Sequence, residues 1–180
     1  MDELDSAIVA LLQEDARQSN RDIARKVGIA PSTCLERIRL LRERGVIRGY
    51  HADIDLASLG RGVQAIVSAQ VRPLSRVVID AFQRSLSELP EVMSVFVTAG
   101  NDDFLIHVSV RDIDHLHSFL ADRLAVRKEV VGFRSSIIFR HLHRTVLEPL
   151  PPNGKRPEPQ GVRGASGNAD RPRAGRGRAG

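Results

Sequence analysis

Apolar residues recur at helical spacing along the first 45 positions. Leu4, Ile8, Leu11 and Leu12 fall at i, i+4, i+7 and i+8, which predicts a helix from Glu3 to about Asp15. Ser19 or Asn20 can cap a short second helix carrying Ile23, Ala24 and Val27, with Asp22 suited to its positive end. Gly28 stands where a left-handed residue should close it. Pro31 is well placed to open a third helix that runs to about Arg44 and stops at Gly45. Leu35, Ile38 and Leu41 mark its expected buried side, with Cys34 beside them as a small core residue. Val46 to Asp55 reads as a short β segment, a small wing after the helices.

From Gly60 the period changes. Val63, Ala65, Val67, Ala69 and Val71 alternate with more polar residues, as a strand does, and Pro73 ends it. Val78, Ala81, Phe82, Ser85, Leu86 and Leu89 form a helical stripe closed by Pro90. Strands are predicted over 92–99 and 104–110, joined by the turn Gly100-Asn101-Asp102-Asp103. Asp112 can cap a helix with the stripe Ile113, Leu116, Leu120 and Leu124, and a fourth strand follows from Val130 to about Leu142. The fold class is therefore α+β: a winged helix-turn-helix, then a βαββαβ, ferredoxin-like domain. Two helices cover one face of such a sheet, so the bare face predicts self-association. The expected divisions are 1–50 for the helical head, 51–62 for a linker strand, 63–146 for the sheet domain and 147–180 for a tail.

Charge sharpens this division. The chain of 180 residues carries a formal +5. Residues 151–180 hold seven basic and two acidic residues, residues 1–15 five acids and no base, and residues 16–50 nine bases and three acids. The +6 block at 16–50 coincides with the second and third helices and points to a polyanion. The tail is rich in Gly, Pro and Arg and poor in apolar residues, which predicts disorder and added phosphate contacts. One cysteine excludes a disulfide framework and a Cys-rich zinc site and fits a reducing compartment. The apolar runs are short of the ~18 residues a membrane span needs and the N-terminus is acidic, so a cytoplasmic location without membrane contact is expected.

A recognition helix buries one side and offers polar groups to a major groove. Here Ser32, Thr33, Glu36 and Arg37 cluster on the first turns of the third helix. Ser and Thr can contact several bases, Glu can accept from cytosine, and Arg can grip guanine. Arg39, Arg42 and Arg48 extend the surface toward phosphates, and Asn20 and Pro31, at the starts of the second and third helices, complete the candidate DNA surface. Thr33 and Glu36 also match a capping box, which would make Glu36 structural. Alanine at position 30 caps poorly, so this helix is expected to begin frayed or to be capped by Ser32.

The order of matches then resembles the Lrp/AsnC family of transcription regulators. They run through Asp2-x-x-Asp5-x-x-Ile8, the stretch from Ile23 to Ile38 centred on Gly28-Ile29-Ala30-Pro31-Ser32-Thr33, and Leu41 to Tyr50, within a similarity over about 2–145. The resemblance implies a RAM-type C-terminal domain that dimerises and assembles further. It also implies a small effector, an amino acid above all, bound between subunits of that domain. In the family the second turn of the sheet carries Gly-x-x-Asp, here Gly100, Asn101, Asp102 and Asp103, and the fourth strand contributes hydroxyls, here Ser135 and Ser136. On that pattern Asp103 would hold an α-ammonium group; the alternative is that these residues form only a hairpin turn.

Other signals carry less. Gly60-x-Gly62-x-x-Ala65 precedes a strand and opens no helix, so it has no dinucleotide chemistry. His141 and His143 could form half a metal site, with no further ligands at suitable spacing. Neither a cofactor, a resident metal nor an enzymatic activity is expected. Three function classes remain: a DNA-binding regulator that senses a small molecule, an RNA-binding protein, and an amino-acid-binding subunit of an enzyme. The RNA reading finds Phe96 and Phe104 but no basic RNP1 pattern. The enzyme-subunit reading leaves the helix-turn-helix unexplained.

Overall fold

The computed structural model describes residues 1–150. Of the basic tail expected over 147–180, residues 151–180 lie outside the described residues. The head comprises α1 (Glu3–Glu14), α2 (Asn20–Val27) and α3 (Pro31–Glu43). Each helix begins or ends for a local reason. The Asp2 carboxylate caps α1 by accepting from the Asp5 N–H, and the Ser19 hydroxyl caps α2 by accepting from the Asp22 N–H. Gly28 closes α2 with φ +73°, which a residue without Cβ adopts at little cost. Ala30 supplies no side-chain cap to α3, and neither does the expected Thr33–Glu36 box.

Ile8, Ile23, Ala24, Cys34, Ile38 and Leu41 form the buried centre of the head. On α3 the inward stripe is Cys34, Ile38 and Leu41, at i, i+4 and i+7. The expected inward Leu35 lies about 100° away on the helix and is 55% exposed. The wing strand does not form either. Val46 and Ile47 both donate their N–H groups to the Leu41 carbonyl, so this segment closes the end of α3. No strand lies alongside positions 46–56, and a lone extended segment leaves its backbone groups to water. Within 51–62, the expected linker strand, the regular structure is a single 3-10 turn at Ala57–Leu59.

The second region is built from β1 (Val63–Val71), α4 (Arg76–Ser87), β2 (Val92–Val97), β3 (Phe104–Val110), α5 (Ile113–Phe119) and β4 (Val130–Ile137). A wider helical turn, Leu120–Ala125, extends α5. The sheet order is β2-β3-β1-β4, and all three pairings are antiparallel. This is the predicted βαββαβ arrangement, with β1 and β3 central. Val67, Val71, Ile106 and Val108 from one sheet face meet Phe82 and Leu86 of α4 and Leu116, Phe119 and Leu124 from α5 and its extension. The Phe82 and Phe104 rings meet edge to face, 4.7 Å between centroids.

Three details differ from expectation. β2 ends at Val97 rather than at position 99. Ile113, expected inward, is exposed; Leu116, Phe119 and Leu124 carry the buried stripe instead. β4 stops at Ile137, opposite Ala65, rather than near Leu142; β1 begins only two residues further on, at Val63, so positions beyond 139 have no strand to pair with. The final bond runs from the Ile138 N–H to the Gln64 carbonyl. Beyond it Phe139 is 97% exposed. The chain then returns to the head. There the Gln13 amide donates to the Leu147 carbonyl at 3.1 Å and accepts the Leu147 N–H at 3.0 Å.

By strand alternation, the sheet face away from the helices carries Gln64, Ile66, Ser68 and Gln70 from β1, and Leu105 and His107 from β3. Gln64 Oε1 and His107 Nε2 lie 3.0 Å apart there.

Candidate functional site

Along α3, Ser32, Glu36, Arg39 and Glu43 recur at i, i+4, i+7 and i+11 and form the outermost ridge, opposite the buried stripe. All four are exposed, as are Pro31 and Thr33 at the helix start; Asn20, first residue of α2, is half-buried. Arg42 and Arg48 are exposed and border a groove of about 640 Å³ whose apolar walls are Leu35, Ile38 and Ile47. Thus Ser32, Thr33, Glu36, Arg39, Arg42 and Arg48 share an open, mixed-polarity surface.

Two of these side chains are not free. Arg39 grips Glu36 with two parallel bonds, Nε to Oε2 at 2.9 Å and Nη2 to Oε1 at 2.6 Å, and its Nη1 donates to Glu43 Oε1. The Arg39 hydrogen bond holds the Glu36 carboxyl below the usual carboxylate range. Arg37, expected among the base readers, points elsewhere. Its Nη1 donates to Asp2 Oδ2 and Asp5 Oδ1, each at 2.7 Å, and the side chain is half-buried between α1 and α3. It lies on the flank of α3 nearest α1, where the buried Asp5 carboxylate draws it in. Arg44 approaches the same carboxylate at 3.8 Å. Spacing within α3 could not reveal this clamp, since its acids come from another helix.

A second candidate region lies where the β2–β3 turn meets β1 and β4. Gly100 has φ +146°, backbone that favours glycine. The Asn101 carbonyl accepts from Gln70 Nε2 at 2.8 Å. Asp103, expected to meet a ligand ammonium, is only 7% exposed. Its Oδ2 accepts from the Val71 N–H and from Arg72 Nη1, both at 2.8 Å, so it ties the turn to the end of β1. A ligand would have to break both bonds to reach that oxygen.

The neighbouring Asp102 is better placed. Its Oδ2 accepts from Arg134 Nη2 at 2.7 Å, and a cavity of about 180 Å³ opens beside the pair, lined also by Gln70, Gly132 and Phe133. Arg134 was not predicted. Its signal was available: it stands one residue before Ser135 on β4, opposite Ser68 of β1. Ser135 and Ser136 point to opposite sheet faces by alternation, so they cannot both line one side.

Comparison with known proteins places both regions in known domain families. Residues 1–42 match the model for the AsnC-type helix-turn-helix domain, and residues 64–147 match the model for the Lrp/AsnC ligand binding domain. The chain is 43% identical over 142 residues to the HTH-type transcriptional regulator AldR of Mycolicibacterium smegmatis, covering 79% of this chain and 83% of that protein. It is 32% identical over 150 residues to the transcriptional regulator AzlB of Bacillus subtilis, covering 83% and 96%. Among solved structures, a transcriptional regulator of Neisseria meningitidis in complex with L-Met is similar with TM-score 0.75 and 29% identity. That likeness covers 85% of this chain and 97% of the other.

Proposed function

The chain belongs to the Lrp/AsnC family of transcriptional regulators, and from that premise we propose that it binds a specific duplex through α3 and adjusts this binding to an amino acid held beside Asp102 and Arg134. The observation that carries the reading is the pairing of two surfaces in one chain. A helix-turn-helix presents exposed cations beside an open polar ridge, and a separate sheet domain holds a zwitterion-sized cavity with one charge of each sign.

In the DNA half, Ser32, Thr33 and Glu36 meet base edges, while Arg42 and Arg48 meet phosphates. Arg37 orients α3 against α1 rather than reading bases. In the effector half, the ligand carboxylate takes the Arg134 guanidinium and its ammonium takes Asp102, so two charge-assisted contacts replace one. The Neisseria relative's complex with L-Met supports an α-amino acid as the ligand class.

The bare sheet face is the surface through which two copies join. Its half-buried Ile66 and Leu105 supply apolar area on the uncovered backs of the central strands. The Gln13–Leu147 contact gives the sheet domain a direct hold on the head, and so a route for the effector to reach α1 and α3. No resident metal or cofactor enters this scheme, and no enzymatic step is assigned.

The test is a binding titration on duplex DNA from upstream of the protein's own gene, with each of the twenty amino acids. One or more should change the affinity. Arg134→Gln should abolish that response while leaving DNA binding in the absence of ligand unchanged. A full response in Arg134→Gln would exclude this pocket.

A further inference from the structure

The outer ridge of α3 has the wrong sign for a phosphate-binding surface at its centre. Glu36 and Glu43 flank Arg39, so the ridge carries two negative charges and one positive. All three guanidinium nitrogens of Arg39 are occupied by these carboxylates. The fork it presents to Glu36 is the same fork that would bind a guanine edge or a phosphate. Arg42 and Arg48, by contrast, carry no ion pair among the described residues and are available at once.

We propose that Glu36 is a specificity gate that withholds Arg39 from DNA until a base offers Glu36 a hydrogen-bond donor in exchange. This rests on the reading of α3 as the DNA-facing helix. The physical argument is one of exchange. Ion pairs as exposed as Glu36–Arg39 are labile, worth about two- to fivefold in an equilibrium, so DNA can take Arg39. Doing so leaves the Glu36 carboxylate unpaired against a dense row of phosphates. A cytosine amino group in the major groove donates to a carboxylate and removes that penalty. A sequence lacking the donor leaves the pair closed and its second carboxylate, Glu43, facing the backbone. The gate therefore works chiefly by weakening binding to wrong sequences, which is a legitimate route to discrimination.

The experiment uses the full chain and two duplexes, one from upstream of its own gene and one of random sequence, with affinity measured across a salt series. Glu36→Gln removes the charge that holds the Arg39 Nε–Nη2 fork, leaving Arg39 only its Nη1 contact with Glu43, without changing the side chain's size. It should tighten binding to the random duplex by about three- to tenfold and steepen the salt dependence by about one phosphate contact. The preference for the upstream duplex should fall. In an Arg39→Gln background, Glu36→Gln should gain much less, because there is no arginine to release. Glu36→Ala, which also releases the Nε–Nη2 fork of Arg39, checks that the gain does not come from the new amide.

An equal gain in both backgrounds would mean that Glu36 acts by plain repulsion and would overturn the gate. So would no gain at all from Glu36→Gln while the unaltered chain binds DNA. Failure of the unaltered chain to bind either duplex would instead overturn the DNA reading of α3 itself, and the gate with it.

Discussion

The head and the sheet domain are held together by different means. The head encloses six buried apolar residues, and ion pairs reach across its helices: Arg37 of α3 binds Asp2 and Asp5, the cap and first turn of α1. The sheet domain encloses thirteen, with an aromatic pair at the centre and Arg127 stacked over Phe82 at 5.3 Å. Their surfaces differ in the same sense. The head shows a charged ridge on α3 beside the exposed Leu35 and Leu40, while the sheet domain shows Met93, Phe96 and Val97 on its edge strand β2 and Ile66 and Leu105 on its bare face. A small core with charged struts suits a part that meets a polyanion. A large core with apolar exposed area suits a part that meets copies of itself.

This contrast can be broken in order of effect. Phe104→Ala should destabilise the sheet domain by about 3–5 kcal/mol, and Ile38→Ala the head by about 2–4 kcal/mol, since each empties a buried site. Urea unfolding followed by probes placed in each region would measure both. If the regions depend on each other as weakly as their separate cores imply, each substitution should move one transition and leave the other. A single shared shift would refute that independence.

Asp5→Asn comes next. It removes a buried carboxylate that accepts from Arg37, for an expected loss of about 1–2 kcal/mol confined to the head. Because Arg37 is partly exposed, raising the salt concentration should shrink the difference from the parent. An equivalent test on Phe104→Ala should show no such salt effect.

The smallest effect concerns His107 on the bare face. Burial, with the nearby His141 second, holds its imidazole below the ordinary value of 6.5. The unfolded chain therefore takes up a proton that the folded chain resists. The associated stability is complete above about 6.5 and is lost as pH falls through that value toward the lower folded one. His107→Gln should reduce the stability lost between about pH 8 and pH 5.5, measured by urea unfolding at each pH. An unchanged pH dependence would remove His107 from the account.

Much of the fold was legible because it follows from local chemistry. Gly28 ends α2, Ser19 caps it, and the alternation from Val63 to Val71 becomes β1, each for a reason contained within a few residues. The misread places share a cause as well. Leu35 is apolar and sits beside Cys34, but only the packing of α1 and α2 decides which of two adjacent stripes turns inward. Val46–Asp55 has strand-like residues and no strand to pair with. The family resemblance implies Asp103 as a ligand carboxylate, yet the end of β1 brings Arg72 and the Val71 N–H onto it. That leaves Asp102 and the unpredicted Arg134 beside the cavity.

The linear order of residues determined the helical head, the βαββαβ order, the basic block over the second and third helices and the class of partner. Helical and strand periods, capping and net charge depend on neighbours in sequence, so they can be read without a structure. The tertiary structure alone decided which charges are free. Arg37 is bound to α1, Arg39 is closed between two glutamates, and Asp103 is sealed beneath the turn, while Arg42 and Arg48 carry no ion pair among the described residues and Asp102 and Arg134 pair with each other beside a cavity. A side chain's charge is set by its residue type, but its availability depends on what the fold places within hydrogen-bonding distance.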